Sequence, residues 1–284
     1  MEAVFLDDPT GPEHPRRRHS LPVRLTHWIN VAALFVLLGS GLQIFNAHPA
    51  LYWGHSSTFA EPWAAMTAEP LGDRLAGFTK VGPIRIETTG LFGLSDGERR
   101  GFPAWATLPS YRSLADGRRW HFFFAWVLAA NGLIYLIWGL ASGHFRRDLA
   151  PARAELSPRH LWVEIVEHAR LRFPKGEATH AYNSLQKLAY LAVIFILLPL
   201  MVLTGLGMSP GVNAAWPWTF EIFGGRQSAR TLHFITATLI VGFVIVHLAM
   251  VLASGPVGQL RAMITGRSGP GPGPAPTRPD GDPS

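Results

Sequence analysis

Four histidines lie at the ends of apolar segments, and their spacing suits a metal-containing cofactor. In RTLHFITATLIVGFVIVHLAM, residues 230–250, His233 and His247 are separated by fourteen positions. A helix rises about 1.5 Å and turns about 100° per residue, so both rings lie on one face, about 21 Å apart along the axis. An imidazole within lipid requires a partner or a metal. Because His27 and His121 begin two other apolar segments, we expect the four rings to meet in two pairs.

The composition indicates that the chain folds in a membrane. Of its 284 residues, 48% are hydrophobic and only 15% are charged, and the mean hydropathy is positive. The basic residues behind the net charge of +6 are scattered between apolar runs, which disfavours a nucleic-acid partner. Cysteine is absent, which excludes disulfides, cysteine-ligated iron–sulfur clusters and covalent haem attachment. Histidine therefore remains as the obvious ligand for a metal or haem.

Four segments are long and apolar enough to cross a bilayer core, which requires about 20 residues of helix. They cover roughly residues 28–45, 120–141, 187–207 and 231–252. Pro199 lies inside the third, where it predicts a kink and not a break. The polar, proline-rich N-terminus does not resemble a cleavable signal peptide. The predicted fold class is an all-α integral membrane protein, a four-helix bundle within residues 24–264.

The segments between the spans define the expected topology. Lys and Arg are more numerous in the termini and in the connection after the second span than in the other two connections, which favours cytoplasmic termini. The first connection is long and rich in aromatic residues, which predicts an ordered periplasmic cap. LWVEIVEHARLRF predicts an amphipathic helix at the cytoplasmic surface, and the final segment, rich in Pro and Gly, predicts disorder. The predicted regions are a cytoplasmic tail at 1–23, the cap at 46–119, a cytoplasmic loop at 142–186 and a disordered tail at 265–284.

This topology places the histidines at two depths. His27 and His247 lie at the cytoplasmic level, whereas His121 and His233 lie at the periplasmic level. Two imidazoles at one depth, facing a common interior, are the two axial ligands of a low-spin b-type haem. We therefore predict two haems, each with both axial positions filled, which favours electron transfer over oxygen chemistry. Small residues should line them, and the candidates are Gly39, Gly41, Gly132, Gly205 and Gly242.

Other roles for these histidines remain open. A single membrane histidine can form an interhelical hydrogen bond. A proton relay in a haem-free transporter usually includes an intramembrane carboxylate, and the four apolar segments contain none. A single zinc ion does not suit ligands about 21 Å apart on one helix. The other eight histidines lie in loops or at edges, where an ordinary solvated ring is expected: His14, His19, His48, His55, His144, His160, His168 and His180.

Several motifs resemble the membrane cytochrome b superfamily, which includes bacterial cytochrome b561, the cytochrome b subunit of nickel-iron hydrogenases and the gamma subunit of formate dehydrogenase. The matching parts are RLTHW at 24–28, RRWHFFFAW at 118–126, HAYNSLQKL at 180–188 and the histidine pair spaced by fourteen. Within this superfamily, SGLQIFNAHPALYWG, YNSLQKLAY and GGRQSARTLHF are similar to the thiosulfate reductase cytochrome b subunits.

The resemblance implies a diheme electron-transfer subunit in the bacterial inner membrane. Such a subunit passes electrons between the quinone pool and a periplasmic molybdopterin-dependent oxidoreductase of the sulfite oxidase type. The alternative within the superfamily is a stand-alone enzyme that oxidises superoxide at the periplasmic surface and reduces quinone, as cytochrome b561 relatives do.

The resemblance also implies roles for individual polar residues. A quinone site beside the cytoplasmic haem would contain Tyr182, Asn183, Gln186 and Lys187. The alternative is that this motif only caps the third helix, with Asn183 as N-cap. In members that bind quinone on the periplasmic side, the competing site is Arg226, Gln227, Ser228 and Arg230. Guanidinium groups pair well with haem propionates, and the candidates, which could also be interfacial side chains, are Arg24 for the cytoplasmic haem and Arg118, Arg119 and Arg230 for the periplasmic one.

Overall fold

The computed structural model describes residues 19–169 and 184–267. The helices of this part are α1 (Leu21–Phe45), α2 (Leu114–Ala141), α3 (Pro158–Ala169), α4 (Ser184–Ala192), α5 (Leu198–Met208), α6 (Pro210–Ala215), α7 (Arg226–Ala253) and α8 (Pro256–Thr265). Within it, four helical segments have the length and apolarity to cross a membrane: α1, α2, the run Ser184–Met208 and α7. The predicted helical membrane bundle is confirmed. Each segment begins before its predicted apolar core, because polar residues at the membrane surface continue the same helix.

The third membrane segment is not a uniform α-helix. A π-helical turn over Val193–Leu197 joins α4 to α5, and Pro199 stands in the first turn of α5. Proline lacks a backbone N–H and crowds the preceding turn, and a π-helical turn absorbs such an irregularity without ending the helix. The chain therefore continues through Pro199, as the sequence predicts.

The membrane helices pack as two antiparallel hairpins, α1 with α2 and α5 with α7. In the first hairpin, the buried side chain of Asn131 donates to the carbonyl oxygen of Thr26 at 2.8 Å and to Oδ1 of Asn30 at 2.7 Å. Interhelical hydrogen bonds in membranes contribute about 0.6 kcal/mol each. Polar contacts of this kind fix the register of α1 against α2.

The connection between α1 and α2 forms a cap made mainly of β-strands. Strands β1 (Ala50–Leu51), β2 (Ala64–Leu71), β3 (Arg74–Val81) and β4 (Ile84–Glu87) form an antiparallel sheet in that order, and β5 (Gly93–Ser95) pairs with β6 (Glu98–Arg100). Gly72 and Gly82 adopt positive φ in the two-residue turns between β2, β3 and β4, a conformation that glycine allows at little cost. The helical prediction did not include these strands.

The cap is tied to the start of α7 by a short segment, residues 48–55, which we call the clasp. Thr231 Oγ1 donates to the carbonyl oxygen of Tyr52 at 2.6 Å. The amide of Gly54 donates to Ser228 Oγ at 2.7 Å, and the carbonyl oxygen of Gly54 accepts from the amide of Ser228 at 3.2 Å. The clasp therefore joins the first hairpin to the second. We call this end of the bundle the cap side and the opposite end the far side.

At the far side, α3 covers the beginning of the predicted amphipathic helix 161–173. Glu164 accepts hydrogen bonds from the amides of Ser184 at 3.3 Å and Leu185 at 3.0 Å, so α3 satisfies the first N–H groups of α4. Residues 1–18, 170–183 and 268–284, and with them most of both predicted tails, lie outside the described residues.

Candidate cofactor site

The four histidines singled out from the sequence meet in two pairs between the hairpins. On the cap side, the ring centroids of His121 and His233 are 6.2 Å apart, with an interplanar angle of 63°. On the far side, the ring centroids of His27 and His247 are 6.4 Å apart, with an angle of 58°. In each pair one ring comes from the first hairpin and the other from α7. We call these the cap-side pair and the far-side pair.

The spacing within both pairs fits one metal atom between two rings. A metal–nitrogen bond of about 2 Å on each side, added to the radii of the two rings, places the centroids of opposed imidazole ligands about 6 Å apart. The observed values of 6.2 and 6.4 Å agree with this separation. Among the described residues, no cluster of three or more His, Asp or Glu side chains suits a metal ion. The geometry therefore favours two ligands per metal.

In the cap-side pair, hydroxyl groups fix the imidazole tautomers. Ser40 Oγ lies 3.1 Å from Nδ1 of His121, and Thr204 Oγ1 lies 2.9 Å from Nδ1 of His233. Each hydroxyl donates its own proton, at 2.6 Å, to the carbonyl oxygen four residues earlier in its helix. Each hydroxyl oxygen can therefore only accept a hydrogen bond from the neighbouring imidazole. Nδ1 of each ring then carries the proton, and Nε2 has a lone pair available for a metal.

Glycines next to these hydroxyls let the rings approach the neighbouring helix. A Cβ on Gly41 would lie 3.3 Å from Cε1 of His121, and one on Gly205 would lie 3.5 Å from Cε1 of His233. Gly39 packs against a leucine of the cap, whereas a Cβ on Gly132 or Gly242 would have no atom within 4 Å. Of the five small residues predicted to line haems, Gly41 and Gly205 therefore touch the ligand rings.

The far-side pair is held by aromatic packing. The ring of His247 stacks on Phe243 at 5.9 Å and 17° and meets the edge of Tyr190 at 6.3 Å. His27 packs edge-to-face with Trp28 at 5.3 Å. Nδ1 of His27 is buried and has no hydrogen-bond partner in the described part of the chain. Among the described residues, therefore, no hydroxyl corresponding to Ser40 or Thr204 fixes the tautomer of His27.

The four arginines predicted to pair with haem propionates differ in burial and in their hydrogen-bond partners. Arg24 donates to the carbonyl oxygens of Met263, at 3.4 Å, and Ile264 at the end of α8. Arg118 and Arg119 are exposed, and Arg119 lies 3.5 Å from a carboxylate one turn earlier. Arg230 is half-buried one turn before His233 and donates at 2.5 Å to the carbonyl oxygen of the clasp residue 48.

The residues of the predicted quinone motif are only partly described. Tyr182 and Asn183 lie outside the described residues, whereas Gln186 and Lys187 lie in the first turn of α4. Lys187 Nζ forms an ion pair with Glu155 at 3.1 Å. The pKa of Glu155 is lowered first by a hydrogen bond from a backbone amide and then by Lys187. The charge of Lys187 is thus already balanced at the far-side surface.

The competing cap-side residues hold the loops in place. Arg226 donates at 3.2 Å to the carbonyl oxygen of Met208, and Ser228 belongs to the clasp contacts. Oε1 of Gln227 is buried without a hydrogen-bond partner among the described residues. These side chains therefore connect α7 to the cap and to the end of α5.

Sequence reasoning did not identify Ser40, Thr204 or the roles of two histidines expected to be solvated. Ser40-Gly41 and Thr204-Gly205 are hydroxyl–glycine pairs within apolar helices, and that recurrence was the available signal. His48 is half-buried, with Nε2 3.1 Å from the hydroxyl of Tyr52, because the clasp folds back onto α7. Burial first, and then the charge of Arg230, lower the pKa of His48. His144 is also half-buried and hydrogen-bonded.

Comparisons with known proteins agree with this geometry. The model of a family described as prokaryotic cytochrome b561 matches residues 18–266. A relative from Azospira oryzae, named as the protein-methionine-sulfoxide reductase subunit YedZ1, is 29% identical over 229 residues, which cover 81% of this chain and 87% of the relative. A Ni/Fe-hydrogenase B-type cytochrome subunit of Cupriavidus necator is 23% identical over 261 residues, which cover 88% and 84%. No solved structure matches the chain significantly.

Proposed function

The chain belongs to the prokaryotic cytochrome b561 family, and we propose that it is a diheme subunit that carries electrons between the quinone pool and a periplasmic molybdopterin-dependent oxidoreductase. As a member of this family it is a multi-pass membrane cytochrome b, and its cofactor is haem b. Relatives that cover most of its length are named as subunits of redox enzymes. The chain is accordingly the membrane subunit of a redox complex.

One observation carries the proposal of two haems: the histidines pair at two levels with nearly equal separations of 6.2 and 6.4 Å. His121 and His233 would hold one haem, and His27 and His247 the other. A bound haem supplies reversible one-electron transfer. Each haem would be held by two imidazoles, an arrangement that favours electron transfer over oxygen chemistry. Two centres along α7 then give electrons a route from one face of the bilayer to the other.

For the cap-side haem, Arg230 is the propionate partner that the structure supports best. It is half-buried and stands one turn before His233. Arg118 and Arg119 are exposed near the start of α2. The hydrogen bonds of Arg24 to α8 compete with a propionate role on the far side.

We place the quinone site on the far side, around Tyr182, Asn183, Gln186 and Lys187. This assignment rests on the resemblance of the motif and on the position of Gln186 and Lys187 in the first turn of α4. Tyr190, one turn after Gln186, packs at 6.3 Å against the ring of His247. A quinone held by this segment would thus lie beside the far-side pair.

The cap side is the proposed exit toward the partner enzyme. The clasp binds the start of α7 close to His233, so a subunit docked on the cap would lie near the cap-side haem. The name of the Azospira oryzae relative, a reductase subunit, supports a partner enzyme over a stand-alone activity. The distribution of Lys and Arg supports an inner-membrane orientation with the cap in the periplasm and both termini in the cytoplasm.

The decisive experiment counts haems per chain after replacing one histidine at a time. His247→Ala and His233→Ala should each remove one of two haems and leave the other, because one ligand of each pair is lost. The count is measured as haem released per purified chain, together with the absorption bands that remain. The exposed His55 provides the control, since His55→Ala should retain both haems.

Retention of two haems in either ligand variant would refute the pairing. Copurification of a molybdenum protein from the native membrane tests the partner. Rapid consumption of a superoxide pulse by the isolated subunit, with quinone as acceptor and no partner present, would instead establish the stand-alone enzyme.

A further inference from the structure

Three side chains form a hydrogen-bonded row at the far-side end of α2. Nδ1 of His144 lies 2.6 Å from Oδ2 of Asp148, and Nε2 of the same ring lies 3.2 Å from the hydroxyl of Tyr135. The side chain of Asp148 is 52% exposed, whereas that of His144 is only 14% exposed. The row therefore begins at the aqueous surface and ends on a tyrosine inside a membrane helix.

The local backbone holds this row in position. After α2 ends, Gly143 adopts a φ of +69°, which reverses the chain and returns it toward α2. A π-helical turn over 145–149 follows, so Asp148 stands one turn beyond His144. The buried ring of Phe145 packs edge-to-face against Tyr135 at 5.5 Å. Aromatic packing thus fixes the hydroxyl and the imidazole relative to each other.

The inner end of the row lies close to the level of the far-side pair. Tyr135 follows Asn131 by one helical turn and shares its face of α2. Asn131 donates to the carbonyl oxygen of Thr26, the residue before His27. Tyr135 is therefore one turn nearer the far-side end of α2 than the contact between Asn131 and the residue before His27.

Quinone chemistry requires a proton route in this region. Reduction of a quinone to a hydroquinone takes up two protons with two electrons, and the reverse reaction releases them. The four membrane segments contain one carboxylate, Asp116, at the cap-side start of α2. Within the spans no carboxylate stands at the far side to carry a proton inward, and a Tyr–His–Asp row provides hydroxyl, imidazole and carboxylate in sequence.

We propose that Asp148, His144 and Tyr135 form a proton relay between the aqueous surface and a quinone that reacts at the far-side haem. This inference rests on the proposed function. During reduction, Tyr135 gives its hydroxyl proton to a quinone oxygen, His144 restores that proton, Asp148 restores the proton of His144, and water reprotonates Asp148. The haem supplies the electrons. Each transfer breaks one O–H or N–H bond and forms another. After one cycle the proton of His144 is on Nδ1 in place of Nε2, and rotation of the ring or proton exchange with water returns it to Nε2 before a second cycle delivers the second proton.

The test compares an acceptor that needs protons with one that does not. Protein in lipid nanodiscs is reduced, and haem reoxidation is followed after mixing with a short-chain benzoquinone or with ferricyanide. Tyr135→Phe keeps the ring packing and removes only the hydroxyl, while Asp148→Asn removes the outer acid. Loss of a proton-transfer group costs about 100-fold or more, so we expect benzoquinone reoxidation to slow by about that factor and ferricyanide reoxidation to stay unchanged.

Two controls separate the relay from a structural role. His144→Ala should lose the benzoquinone rate and regain much of it when imidazole is added, because the free base can occupy the vacated position. Glu167→Gln changes an exposed carboxylate on α3 and should leave both rates at the wild-type level. The haem count of every variant is measured in the same preparations.

Equal benzoquinone rates in Tyr135→Phe and the wild type, or equal slowing with both acceptors, would overturn the relay. A different result would address the proposed function itself. A wild-type protein that contains its haems and passes electrons to ferricyanide but never to benzoquinone would overturn the quinone reaction, and with it the relay.

Discussion

The two histidine pairs have nearly the same ring separation but are supported by different interactions. In the cap-side pair, Ser40 and Thr204 accept hydrogen bonds from the two rings. In the far-side pair, packing against Phe243, Tyr190 and Trp28 takes their place, and Nδ1 of His27 has no partner in the described chain. Hydrogen bonds to hydroxyl groups thus orient the rings of the cap-side pair, whereas packing against aromatic side chains orients the rings of the far-side pair.

This difference has consequences for redox behaviour. A hydrogen bond from Nδ1 raises the basicity of the coordinating nitrogen and holds the ring in one orientation. A stacked ring is oriented but does not gain basicity. If each pair binds the haem proposed for it, a haem at the cap-side pair should bind more tightly, and its oxidised form should be favoured more strongly by its ligands, than a haem at the far-side pair.

The largest expected effect comes from removing both hydroxyls. In Ser40→Ala with Thr204→Val, haem affinity at the cap-side pair should fall by about 10- to 100-fold, the usual cost of losing partners of ligand histidines. The far-side affinity should stay constant. Titration of the haem-free protein with haem, followed by absorption, measures both sites.

A matched control removes a hydroxyl that touches no histidine. Thr238 Oγ1 donates to the carbonyl oxygen four residues earlier in α7, at 2.9 Å, as Thr204 does in its own helix. Thr238→Val should leave both affinities unchanged. Equal losses at both pairs in the double variant would contradict the proposed difference between them.

A smaller effect is expected from the stacking partner of His247. Phe243→Leu keeps an apolar side chain but removes the parallel ring, and aromatic pairs contribute about 0.5–1.5 kcal/mol. Haem affinity at the far-side pair should fall by about two- to tenfold, while the cap-side affinity stays constant. The same haem titration measures this. Phe123→Leu, at an exposed aromatic residue of α2, is the control and should leave both haem affinities unchanged. In Phe243→Leu, a loss of affinity confined to the cap-side pair would contradict the assignment of Phe243 to the far-side pair.

The smallest expected effect is a pH dependence of the stability of the clasp, on the cap side of the molecule. The pKa of His48 is lowered from 6.5, first by burial and then by Arg230, so the unfolded chain binds a proton more readily than the folded one. The stabilisation from neutral His48 is present above about pH 6.5 and is lost as pH falls toward the folded pKa. Amide hydrogen exchange slows intrinsically as pH falls. After correction for this intrinsic slowing, the exchange of the clasp amides should increase between pH 7 and pH 5.5.

His48→Phe tests the origin of this pH dependence. Phenylalanine can stack on Tyr52 as the imidazole does, at 5.6 Å and 16°, and carries no charge at any pH. The extra exchange at low pH should disappear in this variant and persist in His55→Gln. If the extra exchange at low pH persisted in His48→Phe, a group other than His48 would be responsible for the pH dependence.

The sequence predicted the parts of the fold that depend on long apolar runs. The four spans follow from about 20 apolar residues in succession. The strands of the cap escaped prediction because their pattern is weak. All four residues of β4 are exposed, and β2 and β3 mix small residues such as Ala and Thr with charged ones, so no clear alternation of buried and exposed positions marks them.

The candidate site was predictable where helical geometry alone decides it. A spacing of fourteen residues brings His233 and His247 to one face of α7 at two different depths. A partner histidine on another helix must therefore lie at one of these two depths. The hydroxyl partners were not predictable, because Ser40 and Thr204 each make an ordinary bond within their own helix and become ligand supports only when a second helix brings a ring to them.

The clasp has a consequence for assembly. In lipid, two helical hairpins gain little from hiding apolar faces from one another, since the acyl chains are equally apolar. By joining residues 48–55 to Ser228 and Thr231 at the start of α7, the cap acts as a tether and raises the effective concentration of one half of the molecule near the other, as a linker does. A cofactor that binds between the hairpins would therefore enter an interface whose two halves are already joined at the cap-side end.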